Sequence, residues 1–104
     1  MTVVEINPGI CGFVTTISAS RKTRDSVKIE IRTKCESVQK FAGQIEEIDW
    51  KDALTCIDRS IIYREAAKAI KHASCPVPFA VLKAIEVEIG VALPRSVVLE
   101  FSQT

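Results

Sequence analysis

A chain of 104 residues with 47% apolar and 26% charged side chains is the size and composition of one ordinary domain, able to build a single core without disulfide or metal staples. Fourteen basic against thirteen acidic residues leave a net charge of +1, which excludes a long-range field drawing the protein towards nucleic acid or an anionic membrane. Either partner would need a local patch.

Thr2 to Ile6 is a short β-rich run stopped by Asn7-Pro8-Gly9, where Pro suits the first central position of a turn and Gly the one that needs positive φ. Phe13 to Ala19 then alternates. Phe13, Thr15, Ile17 and Ala19 share one face, and Val14, Thr16 and Ser18 the other, as in a half-buried strand. A polar loop follows from Ser20 to Asp25, after which Val27, Ile29 and Ile31 alternate with Lys28, Glu30 and Arg32. Such clean alternation belongs to an antiparallel sheet with one face open to water.

The period changes at Thr33-Lys34-Cys35-Glu36, which fits a capping box, and Val38, Phe41, Ala42, Ile45 and Ile48 recur at helical spacing. Asp49 to Asp52 makes a corner. Thr55 to Asp58 reads as the start of a second helix running to about Ala73, with Ile62, Ala66 and Ala69 or Ile70 on its stripe. Pro76 forces Cys75 out of the helical region, Pro78 suits a first helical turn, and a third helix follows from Phe79 to Ile89, apolar on most sides. Gly90 is its stop, Leu93-Pro94 a connection, and Val97 to Phe101 a last strand with Val97, Leu99 and Phe101 on one face. The expected fold is a single α+β domain over residues 1–104, with a four-stranded mixed or antiparallel sheet and three helices packed on one face, that of Val27, Ile29 and Ile31.

No run approaches the roughly 18 apolar residues that span a bilayer, and Met1 to Glu5 lacks the pattern of a signal peptide, so a cytoplasmic protein without a membrane is expected. Thiols stay reduced there, so Cys11, Cys35, Cys56 and Cys75 read as core thiols, metal ligands or redox thiols rather than disulfides. If consecutive elements pack antiparallel, Cys11, Cys35, His72 and Cys75 all arrive at the end of the sheet that holds the Asn7-Pro8-Gly9 turn, and Cys56 at the other. Cys35 in a first helical turn and Cys75 just before another helix meet the positive dipole end, which favours thiolate. Cys11 followed by Gly12 forms half of a metal knuckle.

Three cysteines and one histidine suit tetrahedral Zn²⁺, and three cysteines with an open position suit a catalytic metal or an iron–sulfur cluster. Against this, the chain has no Cys-x-x-Cys. Two other readings stand beside it: a protein-interaction module whose cysteines are inert packing, and a redox thiol at Cys75 with Cys35 or Cys11 resolving it. His72, the only histidine, is a ligand, a base for Cys75, or a polar residue near a helix end. An apolar third helix and an open sheet favour a homodimer. Nucleic acid is disfavoured, because Arg21, Lys22, Arg24, Lys28 and Arg32 have no aromatic residue interleaved. Gly9 and Gly12 are not a phosphate-binding fingerprint, since no helix follows them. No substrate or reaction is legible.

The segments Asn7 to Phe13 and His72 to Pro78, with Lys83-Ala84 through Leu93-Pro94, resemble a family of small bacterial and archaeal proteins with a domain of unknown function. The resemblance spans most of the chain and implies a prokaryotic cytosolic protein, without an activity to transfer.

Overall fold

The computed structural model describes residues 1–103. Its sheet has four strands, β1 (Thr2–Ile6), β2 (Thr15–Arg21), β3 (Ser26–Arg32) and β4 (Glu47–Asp49), in the order β1-β2-β3-β4 with every pair antiparallel. The register sets Val4 beside Ile17 and Ile17 beside Ile31, and Ala19 beside Ile29, so the inward residues of β1, β2 and β3 line up across the sheet. Ile17, Ala19, Val27 and Ile29 are buried while Lys28 and Glu30 are exposed, as the alternation required.

Four helices accompany the sheet rather than three: α1 (Glu36–Gln44), the single turn α2 (Trp50–Ala53), α3 (Ile61–Ala69) and α4 (Val77–Glu88). The extra turn forms where a plain corner was expected, because Asp49 Oδ1 accepts the Lys51 N–H at 2.8 Å and so caps a new helix. α4 lies against β1 and β2, α1 against β3, and α3 between α1 and α4. Val38 and Phe41 of α1, Ile62 and Ala66 of α3, and Val81, Ala84 and Ile85 of α4 join the sheet residues in one core.

The fourth strand is not where the alternation placed it. Val97 to Phe101 makes no strand, and its apolar side chains are exposed. The strand comes instead from Glu47 to Asp49, where the helical period sets Ile48 on the first helix and Asp49 opens the expected corner. Helix α1 ends at Gln44 because Ile45 leaves helical geometry, at φ −129° and ψ 30°. The chain then extends along β3, with the Ile29 N–H donating to the Glu46 carbonyl at 2.8 Å. Ile48 is buried, and an inward position is what a helical stripe would also give it, so burial alone does not tell helix from strand.

Helix starts also shift. Cys35, not Thr33, is the N-cap of α1, and Thr33 Oγ1 accepts the Cys35 N–H at 3.1 Å instead of closing a capping box. α3 starts after Ser60, five residues beyond the expected Thr55 start, and ends at Ala69 with Ile70 extended, so His72 lies outside it. Ser60 is buried, and its hydroxyl donates to the Ala53 carbonyl at 2.6 Å, tying α2 to the start of α3.

At the far end of α4, Glu88 joins three elements. Its Oε1 accepts from the Thr2 hydroxyl at 2.8 Å and its Oε2 from the Arg21 N–H at 2.9 Å, so one carboxylate holds the ends of β1 and β2 to the helix. Gly90 follows with φ +85°, a conformation that an L side chain rarely adopts, and turns the chain out of the helix.

Candidate functional site: a thiol-lined cavity

The turn after β1 is built on two glycines. Asn7 Oδ1 accepts the Gly9 N–H at 3.1 Å, the Gly12 N–H donates to the Gly9 carbonyl at 3.0 Å, and Gly9 and Gly12 take φ of +89° and +72°. Ile10 and Cys11 form the tip between them. Phe13, expected inside the second strand, instead sits in this connection, and the strand proper starts at Thr15. Thr15 is buried, and its hydroxyl makes one local contact, 2.9 Å to the Phe13 carbonyl, and one across the sheet, a 3.0 Å hydroxyl–hydroxyl hydrogen bond with Thr33. Those bonds fix the start of β2 against the end of β3, and thereby bring the Cys11 turn towards Cys35.

Cys35 stands at the N-terminus of α1 without accepting a cap hydrogen bond on its side chain. His72 and Cys75 come from the connection between α3 and α4, where the Cys75 N–H donates to the His72 carbonyl at 3.3 Å. Pro76 is the N-cap of α4 and Pro78 lies in its first turn, so the junction runs as the two prolines require.

Cys11, Cys35, His72 and Cys75 all line one cavity of about 470 Å³. Its remaining walls are mostly apolar, with Ile10, Phe13, Val38, Ile70 and Val77 among them. Cys56 is not part of it; that thiol is exposed and receives the Arg59 guanidinium at 2.9 Å. The cavity also takes in Ser37 and Ser74, which sequence reasoning did not single out. Their signal was adjacency alone, Ser74 preceding Cys75 and Ser37 lying two residues after Cys35.

The thiols are unequal. Cys11 is exposed, whereas Cys35 and Cys75 are half-buried. Burial pushes the Cys75 thiol above the usual cysteine range; the Val77 N–H, at the start of α4, draws it back, and negative charge on Cys35 or Cys11 pushes it up again. Cys75 is thus within electrostatic reach of both other cavity thiols. In their present side-chain positions, no three His, Cys, Asp or Glu residues among the described ones stand close enough together to hold a metal ion. No helix among the described residues is long and apolar enough to cross a membrane.

The model of a family described as Family of unknown function (DUF6951) matches residues 2–101, so the chain belongs to that family. No curated protein and no solved structure matches the chain.

Proposed function

We propose that this member of the family binds a thiophilic metal, as Zn²⁺ or as an iron–sulfur cluster, through Cys11, Cys35 and Cys75 with His72 as the fourth donor. The observation that carries the reading is the convergence of these four side chains, from three separate connections, on one apolar-walled cavity. Soft thiolates suit zinc and iron–sulfur chemistry, and apolar walls keep water from competing for the ion. The Val77 N–H favours the Cys75 thiolate, as a backbone donor near a metal-bound sulfur would.

Zn–S bonds of about 2.3 Å need the sulfurs to turn inward. Each cysteine has three staggered χ1 positions, and Cys11, exposed on its turn, is the freest to choose among them. Cysteine binds a metal as thiolate, so loading releases protons and strengthens as pH rises. With only three thiolates engaged, a fourth position would face the cavity and could take water or a substrate, with His72 as the base in reach.

Elemental analysis of protein purified without oxygen, together with its ultraviolet–visible spectrum, tests the reading. Zinc or iron at about one equivalent or more, lost on Cys→Ala change at Cys11, Cys35 or Cys75 but kept on Cys56→Ala, is the expected result. Trace metal alone, with the same changes altering only stability, would leave these thiols as packing and the domain as an interaction module.

A further inference from the structure

β1 lies at the edge of the sheet and pairs with β2 alone, which leaves the hydrogen-bonding groups on its other side without a strand. Val4 and Ile6 on this edge pack on the core yet are only half-buried. Between β1, the Phe79–Val87 side of α4 and residues 92–97 runs a groove of about 510 Å³. The same chain carries a segment with the pattern of a strand. Val97, Leu99 and Phe101 alternate with Val98 and Glu100. These apolar side chains are 59%, 79% and 93% exposed, and Val98 is 72% exposed. No backbone hydrogen bond pairs this segment with another among the described residues.

We infer that Val97–Phe101 is an exchanged strand, which adds to the β1 edge of a second copy of this chain while the second copy's segment adds to the first. Each copy offers the grooved β1 edge and one unpaired apolar segment, so a two-fold pair satisfies both and leaves neither over. The path of the chain favours a second copy over its own edge. After Gly90 and Pro94 the chain follows one border of its own groove as far as Val97, and residues 98–101 do not line it. Seated beside β1 of a partner, Val97, Leu99 and Phe101 would extend the inward row of Val4 and Ile6 and cover the exposed ring of Phe79.

Sedimentation of the full chain at micromolar concentration, with hydrogen exchange of the β1 amides, tests this. The wild type is expected to be a dimer with protected β1 amides. The double change Leu99→Asp, Phe101→Asp should raise its dissociation constant about tenfold or more, with faster exchange in β1 and unchanged far-ultraviolet circular dichroism. Val98→Pro, which removes one strand donor from an exposed position, should act in the same direction. A monomeric wild type overturns the proposal, whether its β1 amides exchange freely or are protected by the chain's own segment. So does a dimer that survives both changes.

Discussion

Removing the Glu88 carboxylate should loosen the junction of β1, β2 and α4, and the size of the loss follows from its two hydrogen bonds. The bonds to the Thr2 hydroxyl and the Arg21 N–H measure 2.8 and 2.9 Å, and the side chain is only 13% exposed. Bonds to a charged group contribute about 1.5–3 kcal/mol each when shielded, and Arg21 lies open to water, so Glu88→Ala should cost about 2–3 kcal/mol in all. In a domain of this length that lowers Tm by about 10–20 °C. Glu88→Gln keeps the shape: its carbonyl can accept the Arg21 N–H while its amide donates to Thr2. That variant should lose only about 1 kcal/mol. The carboxyl titrates below its usual range, chiefly because the Arg21 N–H favours the charged form; partial burial opposes this, and the Thr2 hydroxyl and the amino terminus add to it. A folded pKa below the unfolded one means that the contribution is complete above the unfolded carboxylate range and fades as pH falls through the folded value. Denaturant titrations of the three proteins at neutral pH and at acid pH read out both effects. A wild-type advantage over Glu88→Ala below about 0.5 kcal/mol, or one that is as large in acid as at neutrality, would refute the reasoning.

Ser60→Ala should destabilise by about 1–2 kcal/mol in a urea titration, since it leaves the buried side's Ala53 carbonyl without its 2.6 Å donor; an unchanged midpoint would show that the tie between α2 and α3 contributes nothing. The Cys75 thiol should alkylate more slowly at neutral pH than a free model thiol, with its rate rising only at higher pH, because burial first and the neighbouring thiols second disfavour its anion. Cys11→Ser with Cys35→Ser should lower that pH midpoint without returning it to that of a free cysteine, and mass spectrometry of the Cys75 peptide distinguishes this from a thiol that already reacts like a free one.

Much of the sheet was legible because its residues meet one environment on each side. Val27 and Ile29 against Lys28 and Glu30 admit a single register, and the buried Thr15, Ile17 and Ala19 leave the same choice for β2. The cavity was legible for a related reason: once the strands and helices alternate in direction, the connections that carry Cys11, Cys35, His72 and Cys75 end at one side of the sheet. Where the reading failed, the local pattern fitted two answers. Ile45 and Ile48 satisfy a helical stripe as well as a short strand, and only the vacant side of β3 decides between them. Val97 to Phe101 has the alternation of a strand but no neighbour in its own chain, and pairing is a property of two segments that one segment's sequence does not contain. The sulfur positions depend on rotamers, which residue spacing does not fix.

The unbroken strand order has a consequence for how the chain reaches its fold. Each strand pairs with the next one in sequence, so the sheet and α1 involve short closures that can form as the polypeptide leaves the ribosome. α4 is different, because it covers β1 and β2 only after the rest of the chain has been made. Until then the apolar side of the first hairpin is bare, and the nascent chain is most open to aggregation or to a chaperone in the interval between the synthesis of β2 and the arrival of α4.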